Sequence, residues 1–206
     1  VGGEKVPQEL FGLTAAVTPN ATLSEGYGIT ECSPIVAGNR LNIKTTGVGL
    51  PLAHVSLLIV NEETHQPVAD GVRGLILIAG DSVFSGYLEG RPNPFIEING
   101  KRWYNSGDLG YFDNGSLIIA GRLKRFIKVA GEMISLPALE EALVKRWHTD
   151  DDTPALAITA QDSETEGKPA IHLFLTQSGT IEEANQILRE AGFPSIARIT
   201  HLHVVE

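Results

Sequence analysis

Hydrophobic and polar positions follow two styles along the chain. From about Leu41 to Gly121, short runs of Val, Ile and Leu are cut by turn residues. Val55 to Val60, Gly74 to Ala79 and Ser116 to Ala120 are predicted strands. Asp113-Asn114-Gly115, between Tyr111-Phe112 and Leu117, predicts a hairpin because Asn-Gly takes positive φ at little cost. Short strands joined by turns in this way predict a small β-barrel or meander. Past Gly121 the period changes. Arg125 to Val129 reads as a strand, and Leu136, Leu139, Leu143 and Trp147 then fall on one helical face. Ser135 is the expected N-cap of that helix, with Pro137 in its first turn. Ala155 to Ala160 and Ala170 to Thr176 are predicted strands around a polar loop, Gln161 to Lys168. Thr180 and Glu183 predict a capping box on a helix that carries Ile181, Ala184, Ile187, Leu188 and Ala191 and stops at Gly192. His203 to Val205 begins a last strand.

The expected fold class is therefore α+β. A β-rich subdomain covers residues 41–121 and a compact α+β unit covers residues 122–206, with the boundary near Arg122-Leu123-Lys124. Residues 1–40 fit neither unit and read as the edge of a larger lobe.

Composition narrows the class. The 206 residues are 42% hydrophobic and 20% charged, with 22 Gly and 11 Pro, which excludes a disordered or collagenous chain. Twenty-five acids against sixteen bases give a net charge of −9. That argues against a nucleic-acid-binding surface and leaves room only for a local basic groove. The single cysteine, Cys32, excludes an internal disulfide and a Cys-rich metal centre. No apolar run approaches the roughly 18 residues a membrane span needs. With one methionine, Met133, and an opening Val1, the chain is expected to be a piece of a longer protein.

Three stretches can carry chemistry. In Gly26-Tyr27-Gly28-Ile29-Thr30-Glu31, a tyrosine between two glycines is expected to expose its ring on a mobile turn, suited to stack on a flat heterocycle. Thr30 can donate to a phosphate and Glu31 can hold Mg²⁺; an ordinary loop with a structural tyrosine fits the same residues. In Tyr104-Asn105-Ser106-Gly107-Asp108-Leu109-Gly110, Asp108 can accept from two vicinal ribose hydroxyls or simply close a turn before the Tyr111 strand. The third stretch, Gly121 to Ser135, opens with four bases in seven residues: Arg122, Lys124, Arg125 and Lys128. A solvated strand edge is the plain alternative there. Gly131 is either a turn glycine or a point where a narrow ligand passes close to the backbone. The six histidines are scattered and show no zinc-ligand spacing. Glu31 beside Cys32 is expected to raise the thiol pKa, which argues against a nucleophile. Ser24, Ser33 and Ser106 lack a nucleophile-elbow context.

Taken in order, these stretches resemble the adenylate-forming superfamily of acyl- and aryl-CoA synthetases, luciferases and peptide-synthetase adenylation domains. Val1-Gly2-Gly3-Glu4-Lys5 also looks like that family's glycine segment along the adenine. Within it, Gly121 to Leu136 and Gly26 to Pro34 look most like the bacterial branch that joins an acyl-[acyl-carrier-protein] synthetase to a 2-acylglycerophosphoethanolamine acyltransferase. The resemblance implies the back half of a large adenylating lobe followed by most of a small mobile lobe. It implies ATP/AMP and Mg²⁺, with Gly2, Gly3, Tyr27 and Gly28 at the adenine and Thr30 at the phosphate. Glu31 would hold the metal, and Asp108 the ribose with help from Arg122. Lys124 would be the hinge, a position where many relatives have Asp, and Gly131 would line the phosphopantetheine tunnel. Acyl carrier protein, or CoA, would accept a fatty acid, and an acyltransferase domain upstream would pass it to a lysophospholipid. The bacterial inner membrane, on its cytoplasmic side, is the location implied for the longer protein. A phosphate loop before Val1 and a catalytic lysine beyond Glu206 are also implied, so residues 1–206 alone are expected to be inactive. An ordinary acyl-CoA synthetase is the alternative enzyme. A non-catalytic module that docks a carrier protein or nucleotide is the alternative of another class.

Overall fold

A computed structural model describes residues 1–3, 6–40, 46–88, 92–148, 154–161 and 169–205. Glu4-Lys5 of the glycine segment, the start of the β-rich stretch at Leu41, and residues 162–168 of the polar loop lie outside the described residues. The chain divides into two units, Val1–Leu123 and Lys124–Glu206.

The first unit holds helix α1 (Gln8–Val17) and strands β1 (Gly26–Gly28), β2 (Ile35–Gly38), β3 (Leu50–Pro51), β4 (Val55–Val60), β5 (Gly74–Gly80), β6 (Phe95–Ile98), β7 (Lys101–Asp113) and β8 (Ser116–Arg122). β1, β2 and β3 form one antiparallel sheet. The other runs β4-β5-β7-β6, with β8 also on β7. β7 serves three neighbours in turn along its thirteen residues, β6 first and β8 last. Irregular register opposite β5 and β8 lets it bend, and the sheet curls into a half-barrel. The predicted barrel-like meander is therefore present. β5 is an interior strand, and its residues Gly74 to Ala79 are buried on both faces. Asn114 and Gly115 turn the β7–β8 hairpin at φ +49° and +81°, as their sequence predicts. Residues 1–40 fold with this unit, since Tyr27, Cys32, Val36 and Ala37 share a core with Val55, Ile76 and Leu117.

The second unit holds β9 (Phe126–Val129), β10 (Glu132–Ser135), α2 (Leu136–Val144), β11 (Leu156–Gln161), β12 (Ala170–Leu175), α3 (Ile181–Glu190) and β13 (His201–Val204). β9 and β10 pair as a hairpin. In the sheet β11-β12-β13, the first pair is antiparallel and the second parallel, with α3 in the crossover. The Ser135 side chain caps α2 by accepting from Ala138 N at 3.3 Å. Leu136, Leu139 and Leu143 face the core, and Trp147 joins them from beyond the helix end rather than from within it. Thr180 caps α3, but only half of the expected capping box forms. The Glu183 carboxylate bonds Arg146 Nε at 2.7 Å and makes no bond back to Thr180.

Along β12, Ile171, Leu173 and Leu175 enter the core, so the alternate residues His172 and Phe174 face the other way. There β13 aligns His201 with His172 and His203 with Phe174. The histidine rings stack on His172 at 4.4 and 5.2 Å, and His172 Nδ1 lies 2.9 Å from His203 Nε2. Half of the histidines that read as scattered are thus gathered, because a parallel crossover sets neighbours that sequence spacing does not show.

Candidate active site

A cavity of about 820 Å³ opens in the first unit. Its wall is built by β1 and the tight loop after it. The Gly28 α-carbon lies so close to Pro34 that a Cβ would sit 2.3 Å from the carbonyl oxygen, so only glycine fits. Ile29 N donates to that same oxygen at 2.8 Å. The closed loop raises Thr30–Cys32 as one 3₁₀ turn. Cys32 points into the core, Thr30 is exposed, and Glu31 is half-buried between them. Gly2, Gly3, Tyr27, Gly28, Thr30 and Glu31 all line the cavity, and Arg122 joins them from the end of β8.

Asp108 anchors this wall from β7. It is 4% exposed, yet both oxygens are engaged. Tyr27 Oη donates to Oδ2 at 2.6 Å, and Arg122 Nε lies 3.2 Å from Oδ1. The β7–β8 register places Arg122 directly opposite Asp108. Burial raises the Asp108 carboxyl above the usual range; the Tyr27 hydroxyl and the Arg122 charge pull it back in part. The Tyr27 phenol is pushed up, first by burial and then by the Asp108 charge, so it stays protonated and donates. Asp108 N donates to Ser106 Oγ at 3.0 Å, and that hydroxyl donates to Ile76 O at 2.7 Å. Ser106 is a structural hydroxyl here.

Two local expectations are corrected. Tyr27 does not expose its ring on a mobile turn: it is 9% exposed within β1, because its hydroxyl reaches a buried carboxylate. Asp108 does not close a turn before the Tyr111 strand but lies inside β7, where Gly107 takes φ +71°.

The basic stretch is largely exposed, at Arg122, Lys124 and Lys128, yet two of its arginines hold carboxylates. Arg122 pairs with Asp108 in the first unit. Arg125, in the second, bonds the Glu140 carboxylate and donates from Nη1 to Ile158 O at 3.0 Å. Lys124 is exposed in the short 3₁₀ turn Leu123–Arg125. Gly131 is exposed in the β9–β10 turn at φ +89°, after Ala130 at +51°. Lys124 and Gly131 are both residues of the second unit, and neither lines the cavity of the first. The Cys32 thiol is pushed up to about 11, by burial first and the Glu31 charge second.

Sequence reasoning missed Tyr87. Its hydroxyl donates to Glu31 Oε1 at 2.6 Å across 56 positions of sequence. A tyrosine after Gly86 carries no local signal for such a contact. Among the described residues, no three His, Cys, Asp or Glu side chains converge as a metal cage. The Glu31 carboxylate at the cavity wall still fits Mg²⁺, which is usually held by one or two carboxylates together with substrate phosphates.

Residues 1–88 match the AMP-binding enzyme family. The chain is 30% identical over 197 residues to 4-coumarate–CoA ligase 1 of Petroselinum crispum, spanning 91% of this chain and 36% of that protein. It is 30% identical over 189 residues to the nonribosomal peptide synthetase sidE of Aspergillus fumigatus, spanning 82% of this chain and 9% of that one. The fold matches o-succinylbenzoate CoA synthetase (MenE) of Bacillus subtilis, solved with its acyl-adenylate intermediate OSB-AMP. There the TM-score is 0.73 at 23% identity, over 99% of this chain and 41% of that one. Other solved structures of this fold hold ATP or AMP. These matches are to AMP-binding enzymes and to ligases, and the likeness to MenE shows the fold. The chain spans about a third of the length of the coumarate ligase it matches. Among the described residues no helix is long and apolar enough to cross a membrane.

Proposed function

We propose that this chain is the nucleotide-handling part of an ATP-dependent acid–thiol ligase. In this reading the enzyme activates a fatty acid as acyl-adenylate and passes it to the phosphopantetheine thiol of acyl carrier protein, supplying lysophospholipid reacylation. The observation that carries the nucleotide reading is Asp108, a buried carboxylate whose two partners, Tyr27 and Arg122, both line the cavity. A carboxylate offers about four lone-pair sites. The two contacts leave acceptor capacity for a ribose diol, and the Arg122 charge favours the ionised form of the group. Gly2, Gly3, Tyr27 and Gly28 line the part of the cavity where an adenine would lie. The exposed Thr30 hydroxyl would donate to the α-phosphate, and Glu31 would hold Mg²⁺.

The chemistry explains the need for such groups. An acid resists a thiol because oxide is a poor leaving group. Attack of its oxygen on the α-phosphate of ATP forms the acyl-phosphate bond and releases pyrophosphate, so that AMP becomes the leaving group. A divalent cation on the phosphates would offset charge that builds there. Thr30 would stabilise the same charge by a fixed hydrogen bond. Lys124 is proposed as the hinge position and Gly131 as the lining of the pantetheine path; both rest on the resemblance of the Gly121 to Ser135 stretch. Acyl carrier protein as acceptor, and an inner-membrane location for the longer protein, have the same support.

The match to CoA ligases favours a second reading, in which free CoA is the acceptor and the acid is a fatty or aryl acid. One experiment separates the two. The open reading frame that carries residues 1–206 is assayed for pyrophosphate–ATP exchange with fatty and aryl acids, then for thioester formation with CoA or acyl carrier protein. Exchange with long-chain acids and thioester on carrier protein alone supports the first reading. Thioester on CoA alone supports the second. No exchange with any acid removes both and leaves a nucleotide- or carrier-binding module.

A further inference from the structure

Glu31 is held from two sides by a segment that the nucleotide reading does not use. Phe84 N donates to the Glu31 carbonyl at 2.8 Å, and Tyr87 Oη donates to its carboxylate Oε1 at 2.6 Å. The second distance is that of a charge-assisted hydrogen bond. Phe84 packs edge-on against Tyr87 at 4.9 Å and against Tyr104 at 5.4 Å, so the three rings form one block under the carboxylate.

We propose that Tyr87 is a positioning residue that aims the Glu31 carboxylate at a divalent cation on the nucleotide phosphates. The inference rests on the nucleotide reading of this cavity. An ionised carboxylate only accepts, so the single Tyr87 proton is committed to Glu31. Tyr87 Oη lies 3.4 Å from Tyr104 Oη, and in that pair Tyr104 must then be the donor. Tyr104 is 5% exposed, and burial is the first cause that keeps its phenol protonated. The protons therefore run one way, from Tyr104 to Tyr87 to Glu31, with the Tyr104 contact much the longer and weaker of the two. Tyr87 is 47% exposed, so its hydroxyl has water as an alternative partner and still goes to Glu31. With Oε1 occupied, Oε2 has no donor among the described residues and is the oxygen left for a cation. Mg²⁺ demands near-ideal octahedral geometry. A carboxylate stopped from rotating meets that demand better than a free one.

The test uses the open reading frame that carries residues 1–206, with Mn²⁺ as the probe. Mn²⁺ affinity is read by electron paramagnetic resonance with α,β-methylene ATP, and AMP affinity is measured separately without metal. Tyr87→Phe keeps the ring against Phe84 and removes only the hydroxyl. It should weaken Mn²⁺ by about 10- to 100-fold, the usual scale for an outer-shell partner of a metal ligand. AMP affinity should stay within about twofold of wild type, whereas a purely structural role would lower both. Glu31→Gln serves as the reference. If it weakens Mn²⁺ and Tyr87→Phe does not, the positioning role of Tyr87 is overturned while Glu31 keeps its place. If neither variant changes Mn²⁺ affinity, the metal role of Glu31 fails and the inference falls with it. Parallel loss of AMP and Mn²⁺ affinity in Tyr87→Phe also overturns the proposal. Should that variant melt early, Tyr104→Phe replaces it, with a smaller Mn²⁺ loss expected and no loss counting against the relay.

Discussion

Arg122–Asp108 in the first unit and Arg125–Glu140 in the second are both arginine–carboxylate pairs, and the two are finished differently. In the second unit Glu140 takes Ile158 N on Oε1 at 2.7 Å and Arg125 on Oε2, while Arg125 returns to Ile158 O. Backbone and side chains close on each other, and the effect is to staple β11 to α2. In the first unit the Asp108 side chain is 5% exposed and its Arg122 partner 71% exposed. Its bonds go to two side chains at a cavity wall rather than to backbone. A carboxylate completed by backbone holds a fold together. One completed by cavity-lining side chains is buried, costly, and able to exchange partners. The position of the second set of bonds, more than the ion pair itself, separates the structural pair from the one proposed to hold nucleotide.

The largest effect that sharpens this contrast is on catalysis. Asp108→Ala in the open reading frame should weaken ATP use by about 1.5–3 kcal/mol, the scale of hydrogen bonds to a charged group. Pyrophosphate exchange at varied ATP measures it, and an unchanged KM and kcat in a folded variant removes Asp108 from the site. Glu140→Ala should leave ATP use alone and instead lower the stability of the second unit. Arg125 is 38% exposed, so water screens the pair, and the loss should be about 1–2 kcal/mol, mainly from the unpaired Ile158 N–H. The two tryptophans report separately: Trp103 lies in the first unit and Trp147, fully buried, in the second. Urea unfolding followed with Trp103→Phe therefore reads the second unit. Gly131→Ala should cost that unit about 1–2 kcal/mol by the same measurement, because φ +89° is left-handed and a side chain there is strained even in open space.

The smallest effects concern pH, and the two units should drift in opposite directions. Burial raises the Asp108 pKa above its unfolded value of 3.8. The folded state then binds more protons within that window, so the group's contribution to stability falls as pH rises from 3.8 through the folded value. His172 is lowered from 6.5 by burial and by His201 and His203, so there the unfolded state binds more protons. Its contribution is full above 6.5 and is lost as pH falls from 6.5 through the folded value. Neither β11 residue on that face, Ala157 or Thr159, titrates. Unfolding midpoints between pH 4 and 7, compared with Asp108→Asn and His172→Gln, should show each variant flattening only the slope of its own unit.

The second unit was the more legible in sequence because its signals are local. Ser135 and Thr180 announce their helices within three residues, and Leu136, Leu139 and Leu143 keep one face. Asn114-Gly115 announces the β7–β8 hairpin in the same way. Helix α1 carries no side-chain cap, and its first neighbour is Pro7, so no start signal marks it. The site itself depends on distant pairs: Tyr27 meets Asp108 across 81 positions, and Glu31 meets Tyr87 across 56. Residue type and order could nominate Tyr27, Glu31 and Asp108. They could not show that Tyr27 is buried against Asp108, since that follows from how β1 and β7 are placed by the fold.

The central claim is that the cavity of the first unit takes the AMP moiety through Asp108. Calorimetric titration of AMP tests it most directly, using the open reading frame in three forms: wild type, Asp108→Asn and Glu140→Gln. Wild type and Glu140→Gln should bind one AMP with the same affinity, and Asp108→Asn should bind at least about tenfold more weakly. Equal AMP affinity in Asp108→Asn and wild type would contradict the account.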